Sequence, residues 1–89
     1  MRPLFDEIWV RIVRNEGQVF EQIRGGKFTY QVRGDTLSLD RTNQSIPRKH
    51  LMEAYGYVPL KDTTGVQHLR APSYIYAILM DERIRKSDW

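Results

Sequence analysis

The chain has 89 residues, a net charge of +3 and no cysteine. This length suits one domain with a modest core, which we place over residues 1–89, and the missing cysteine excludes disulfides and thiolate chemistry. The longest apolar run, from Tyr74 to Met80, is much shorter than the ~20 residues that a bilayer requires. Because no signal peptide is recognisable at Met1 either, we expect a cytoplasmic protein without a membrane partner.

A helix is predicted over about residues 3–15. Pro3 suits a first helical position, and apolar residues then recur with helical spacing. Asp6 lies near the predicted start and Arg14 near the predicted end, as the helix dipole favours. Gly17 provides a stop signal.

Three β segments follow, over residues 18–23, 27–33 and 36–41. Gly25-Gly26 separates the first two and Gly34-Asp35 the last two, and both pairs are typical of two-residue hairpin turns. Counting from these turns predicts one apolar face that consists of Val19, Ile23, Phe28, Tyr30, Val32, Leu37 and Leu39. The same register predicts an opposite, mostly polar face that consists of Phe20, Gln22, Arg24, Lys27, Thr29, Gln31, Arg33, Thr36, Ser38 and Asp40.

Two more helices are predicted after the sheet. The first covers about 47–56, and the second runs from Tyr74 to about Arg85 with Ser73 as its N-cap. Residues 60–72 read as a connection, with a short strand at 66–69. The predicted fold is therefore α+β: a two-layer sandwich in which a three-stranded antiparallel meander carries helices on one face, in the order α-β-β-β-α-α.

The positive charge is concentrated in residues 24–50. This third of the chain has six basic and two acidic side chains, a net charge of +4, against −1 before it and 0 after it. Residues 40–50, "DRTNQSIPRKH", add hydrogen-bonding groups in front of a helix N-terminus, where phosphates commonly bind. The predicted nucleic-acid-binding residues are Arg24, Lys27, Thr29, Gln31, Arg33, Arg41, Thr42, Asn43, Gln44, Arg48 and Lys49.

Two kinds of nucleic-acid-binding domain show similar features. The order α-β-β-β-α resembles double-stranded-RNA-binding domains, whose second helix presents a basic N-terminus to phosphates. Here "IPRKHLMEAY" has that basic start without the lysine-rich, alanine-rich helix of the family. A polar face on a three-stranded sheet is similar to DNA binders that lay a sheet in the major groove. The second resemblance implies a DNA partner.

Three functions are open at this stage. The first is a small basic nucleic-acid-binding protein that prefers DNA to RNA, and the second is a protein-interaction module or small regulator that docks through its edge strands or Trp89. The third is a small ribonuclease-type toxin that would use His50 and His68 together with Arg41 and Glu53. The signal for catalysis is weak, so we assign no catalytic residue, metal or cofactor. The sequence does not set the oligomeric state.

Overall fold

The computed structural model describes residues 2–89. It confirms the α+β class and contains two antiparallel sheets: a ribbon of β1 and β2, and a meander of β3, β4 and β5. The elements are α1 (Phe5–Arg14), β1 (Phe20–Glu21), β2 (Lys27–Phe28), β3 (Tyr30–Arg33), β4 (Thr36–Leu39), β5 (Ser45–Pro47), α2 (Arg48–Tyr55), α3 (Pro72–Leu79) and α4 (Glu82–Arg85). Within residues 2–89, no helix has the length and apolar character needed to cross a membrane.

The turn at Gly34-Asp35 gives the predicted register between β3 and β4. Tyr30 pairs with Leu39, and Val32 pairs with Leu37. Tyr30 is fully buried, whereas its neighbour Gln31 is exposed. The Tyr30 hydroxyl donates to the carbonyl oxygen of Ile12, so α1 lies over the apolar face of the meander. The prediction that helices cover this face is therefore confirmed.

The turn of the ribbon is longer than a Gly-Gly pair. The Gln22 carbonyl accepts from the Gly25 amide, and the Gly26 carbonyl accepts from the Gln22 amide, each at 2.8 Å. Glu21 consequently pairs with Lys27, whereas a two-residue turn at Gly25-Gly26 would have paired it with Tyr30. The predicted register of this hairpin was wrong because the turn begins at Gln22, several residues before the glycines.

This shift of register exchanges the faces of β1. Moving a strand by an odd number of residues turns every side chain to the opposite side. Phe20, predicted on the polar face, is 1% exposed and pairs with Phe28, while Val19 and Ile23 are 53% and 65% exposed. The prediction that Val19 and Ile23 belong to the core was wrong.

The third strand of the meander comes from the segment after β4. The predicted strand over 27–33 is interrupted at Thr29, whose amide donates to the Asp40 carboxylate at 2.9 Å. The ribbon separates from the meander at this point, and β5 pairs with β4, aligning Leu37 with Ile46. The meander is therefore antiparallel and three-stranded as predicted, but its strands are β3, β4 and β5.

The last predicted helix is two helices. α3 begins at Pro72 after a left-handed Ala71, so the prediction of Ser73 as its N-cap was wrong. α3 ends at Leu79, and the Asp81 carboxylate caps α4 by accepting from the Arg83 amide at 2.9 Å. The strand predicted at 66–69 is replaced by a 3-10 turn at Thr64–Val66.

Replacing Asp81 should reveal both its capping role and its charge. Asp81→Ala removes the cap of α4 and is expected to cost about 1 kcal/mol of unfolding free energy, whereas Asp81→Asn retains a capping oxygen. Hydrogen bonding from the Arg83 side chain lowers the pKa of Asp81. A lowered folded pKa gives stability that is complete above the unfolded pKa of about 3.9 and is lost as pH falls through the folded value. Urea denaturation should therefore show a larger gap between the parent and Asp81→Asn at neutral pH than in acid, and an equal gap would contradict this role.

Arg11 is a buried cation on α1, with 9% of its surface exposed. Its Nη1 donates to the carbonyl oxygen of Ile84 at 2.8 Å and lies 2.8 Å from the Asp88 carboxylate. Its Nε lies 3.3 Å from the Glu7 carboxylate, which is partly exposed. These partners satisfy the guanidinium group inside the core and join α1 to the segment that includes and follows α4.

Candidate nucleic-acid interface

The solvent face of the meander presents two rows of side chains that cross all three strands. The strand pairing aligns Gln31 with Ser38 and Ser38 with Ser45, and it aligns Arg33 with Thr36 and Thr36 with Pro47. Gln31 and Arg33 are exposed, and the four smaller residues are partly exposed. We call these six residues the solvent face. It was predicted for β3 and β4, but Ser45 and Pro47 were missed because Ser45 was read as part of a loop and Pro47 as the start of a helix.

The width of the meander is comparable to that of the major groove of duplex DNA. Neighbouring strands lie about 4.8 Å apart, so the axes of the two outer strands lie roughly 10 Å apart. The four residues of β3 extend over roughly 13 Å at about 3.3 Å per residue. The major groove of B-DNA is about 12 Å wide and admits an α-helix or a two-stranded β-ribbon.

The loop after β4 is ordered by its own polar contacts. Arg41 Nη1 donates to the Lys27 carbonyl at 3.3 Å, and the Thr42 hydroxyl accepts from the Gln44 amide at 3.2 Å. Asn43 is exposed between them. Arg41 and Lys27 thus lie at the junction of ribbon and meander, where both side chains are accessible.

The N-terminus of α2 is held by backbone contacts. Its cap is Pro47, and the Arg48 amide donates to the Asp35 carbonyl at 2.7 Å. Among residues 2–89, no side chain caps this helix, so neither Asn43 nor Ser45 serves in that way. The loop side chains before α2 are consequently free of a capping role.

Arg48 is engaged within the protein. Its guanidinium lies 2.7 Å from the Asp6 carboxylate, and it also lies 5.2 Å from the ring centroid of Phe5 and 5.6 Å from that of Trp9. These partners on α1 neutralise and orient the guanidinium of Arg48, which was predicted from the sequence to bind phosphate. Lys49, one residue later, is exposed. The basic start of α2 thus offers one accessible cation, at Lys49.

Arg48→Ala should destabilise the fold because the side chain joins α1 to α2. The exposed ion pair and the aromatic contacts are each worth at most about 1 kcal/mol, and we expect a net loss of about 1 kcal/mol. Lys49→Ala is the matched control and should change the unfolding free energy by less than ~0.5 kcal/mol. Urea denaturation of both variants measures the difference. Equal stabilities for the two would show that the contacts of Arg48 contribute nothing to the fold.

Arg24 lies apart from the solvent face, on the turn of the ribbon. It lines a cavity with Asp62 and Thr63, which belong to the connection between α2 and α3. The predicted residues therefore fall into separate places: Gln31, Arg33, Arg41, Thr42, Asn43 and Gln44 on the meander and its loop, Lys27 and Thr29 at the junction of ribbon and meander, Arg24 on the ribbon turn, and Arg48 and Lys49 on α2.

The two histidines are held by different partners beside α2. His50 Nδ1 accepts from the Arg70 amide at 2.9 Å, and His68 Nε2 lies 2.5 Å from the Glu53 carboxylate. Arg41 contacts the Lys27 carbonyl of the ribbon. It is therefore not bonded to the two histidines and Glu53, with which the ribonuclease hypothesis grouped it. Within the described residues, no group of three or more metal-ligating side chains is present.

The chemistry of the solvent face is hydrogen bonding and electrostatic attraction. Amide and hydroxyl groups can donate and accept, and Arg33 supplies a guanidinium that can bond a base or a phosphate in bidentate geometry. Comparison with known proteins found no matching family model, no matching curated protein and no matching solved structure.

Proposed function

We propose that this protein binds nucleic acid through the solvent face of the meander, with duplex DNA preferred to RNA. The observation that carries the proposal is the alignment of Gln31, Ser38 and Ser45 in one row across the sheet. A glutamine amide matches the major-groove edge of adenine, and serine hydroxyls can bond several bases. Arg33 lies in the neighbouring row, where it can bond guanine or a phosphate.

Cations near the solvent face supply the contacts to phosphate that such binding requires. Arg41 follows the end of β4, and Lys49 follows the end of β5 by two residues. Both are exposed. The carboxylate of Asp40 accepts from the Thr29 amide, so part of its negative charge is satisfied within the protein. Phosphate contacts of this kind position a protein on the duplex, while the row of polar side chains reads the bases.

The composition of the solvent face favours duplex DNA over the alternatives. None of its six residues is aromatic, whereas proteins that bind single strands usually stack bases on aromatic rings. The major groove of duplex RNA is deep and narrow, and side chains do not reach its base edges. The major groove of B-DNA is wide enough for a β-ribbon, so we propose B-DNA as the duplex that the meander binds. We propose that the protein acts in the cytoplasm.

Fluorescence anisotropy with labelled 20-base-pair duplexes provides the test. We expect the tightest binding to duplex DNA, weaker binding to duplex RNA and the weakest to a single DNA strand of the same sequence. Gln31→Ala should weaken binding by about tenfold, the effect of losing one bidentate base contact of at least ~1.4 kcal/mol. Gln18→Ala is a matched exposed control and should bind as the parent does. Tighter binding of the single strand, or no effect of Gln31→Ala, would argue against this proposal.

A protein partner is the second candidate function, favoured by the exposed apolar side chains of the ribbon. Val19 and Ile23 are more than half exposed, and exposed apolar side chains mark an interaction surface where they form a contiguous patch. Ile23→Asp would then abolish binding to the partner and leave DNA affinity within about twofold, because Ile23 lies outside the meander. Affinity capture with parent and Ile23→Asp proteins compares the two functions directly.

A further inference from the structure

A cavity of about 470 Å³ lies between the turn of the ribbon and the connection that leads to α3. Its lining is Gln22, Ile23, Arg24, Asp62, Thr63 and Ser73. Five of these side chains are polar or charged, and the volume lies within the ~300–1,000 Å³ typical of small-molecule sites. An inorganic anion alone would leave most of this space unfilled.

One wall of the cavity is fixed by contacts between the ribbon and α3. Gln22 Nε2 donates to the Ser73 hydroxyl at 2.9 Å. On the other side of Gln22, a Cβ at Gly26 would lie 2.6 Å from Gln22 Oε1 and 2.7 Å from Arg41 Nη1. The absence of a side chain at Gly26 therefore lets the amide and the Arg41 guanidinium approach the same point. A second guanidinium thus borders the wall that Gln22 forms.

The cavity holds charges of both signs. Arg24 supplies a cation, and Asp62 supplies a carboxylate whose Oδ1 accepts from the Thr64 amide at 2.8 Å. Hydrogen bonding by that amide lowers the pKa of Asp62, so the carboxylate is ionised near neutral pH. A ligand that satisfies both groups needs an anionic part for Arg24 and hydrogen-bond donors, such as hydroxyl or amino groups, for Asp62.

A second cavity, of about 420 Å³, lies on the other side of Ile23 and differs in charge. Its charged lining residues are Glu21, Asp81, Glu82 and Arg85. Its carboxylates outnumber its single guanidinium, so an anionic ligand is repelled there. The cavity beside Arg24 is the better site for a phosphate-bearing ligand.

We propose that the cavity beside Arg24 binds a nucleoside monophosphate, either as a free nucleotide or as the phosphorylated end of a strand. Arg24 bonds the phosphate, and Arg41 adds positive potential next to it. Asp62 accepts from sugar hydroxyl or base amino groups, and the exposed Ile23 covers one side of the base. None of the lining residues belongs to the meander, so this site is separate from the proposed DNA interface except that Arg41 contributes to both.

Isothermal titration calorimetry of the full chain with AMP, GMP, CMP, UMP and inorganic phosphate tests the site. We expect at least one nucleotide to bind about tenfold or more tightly than inorganic phosphate, since only a nucleotide contacts the rest of the lining. Arg24→Ala should weaken that binding by about tenfold or more, the usual effect of losing a charge-assisted contact. Gly26→Ala should also weaken it several-fold, because the added methyl group displaces Gln22 and Arg41.

Two further experiments identify the source of the ligand and distinguish this site from the proposed DNA interface. A single-stranded decamer with a 5′-phosphate is compared with the same decamer lacking it: preference for the phosphorylated end identifies a strand as the source, and equal affinity identifies the free nucleotide. Arg33→Ala is the matched arginine control and should leave nucleotide affinity unchanged while weakening binding of duplex DNA. The proposal is overturned if no nucleotide or phosphorylated end binds better than phosphate, or if Arg24→Ala binds as the parent does while melting at the same temperature.

Discussion

Replacing Tyr30 by alanine is expected to lower the free energy of unfolding by about 2–4 kcal/mol. The side chain is fully buried, its ring centroid lies 5.3 Å from that of Phe20, and its hydroxyl donates to the carbonyl oxygen of Ile12. Burial raises the pKa of this hydroxyl, so it remains a donor throughout the neutral range. The substitution therefore empties the place where ribbon, meander and α1 meet. Such a loss is a large part of the stability of a small domain.

Two variants separate the causes of this loss. Tyr30→Phe removes only the hydroxyl and should cost about 1 kcal/mol, while Thr29→Ala changes a partly exposed side chain and should cost less than ~1 kcal/mol. Urea denaturation followed by circular dichroism measures all three. Equal losses for Tyr30→Ala and Thr29→Ala would contradict the prediction, because they would show that the burial of Tyr30 adds nothing to the stability of the fold.

The affinity for duplex DNA should fall steeply with salt. Contact with about four phosphates gives a slope near −3.6 for log K against log salt, or roughly a 150-fold loss between 50 and 200 mM salt. This prediction rests on the exposed cations Lys27, Arg33, Arg41 and Lys49. Anisotropy titrations over a range of salt concentrations measure the slope. A slope close to zero would show that binding does not displace counterions from the phosphates.

Single and double variants identify the residues that contribute to the salt dependence of the affinity for DNA. Arg33→Ala combined with Lys49→Ala should flatten it by roughly two units if each cation meets one phosphate. Arg48 is unsuitable for this experiment, because its loss is also expected to destabilise the junction with α1. Asn43→Ala should alter base preference more than overall affinity if the exposed amide reads a base edge. A double variant with the parent's affinity at every salt concentration would exclude both cations from the interface.

The sequence predicted one hairpin correctly and the other incorrectly, for a physical reason. At Gly34-Asp35 the glycine adopts φ +61°, and the two-residue turn keeps the register that the alternation of apolar residues requires. At Gly25-Gly26 only Gly25 has a positive φ, and the turn extends back to Gln22. A pair of glycines does not specify where a turn begins. The error reversed the faces of β1. The hydrophobic pattern of residues 18–23 did not reveal it, because that pattern is compatible with either register.

The candidate site was predictable to the extent that it depends on local alternation. Gln31 and Arg33 follow directly from the register of β3. Ser45 could not be recognised, since a three-residue strand ending in proline gives no periodic signal. The engagement of Arg48 with Asp6 depends on how α1 packs against α2, which sequence spacing does not define. Contacts between distant elements thus decided which basic residues remain accessible.

The partners of Arg11 bear on the order in which the elements of the fold dock during synthesis. The carbonyl group that receives its guanidinium lies 73 residues later in the chain. During synthesis, α1 is made among the first residues. Burying the Arg11 guanidinium costs free energy until Ile84 and Asp88 have been made and can pair with it. In a growing chain that lacks this segment, docking of α1 against the meander and α2 would bury the guanidinium without these partners, so we expect α1 to dock less firmly, although Ile8 and Ile12 are fully buried in the finished protein. We therefore expect the first helix made to be among the last to be secured, and the nascent chain to be most susceptible to proteases and aggregation in the interval.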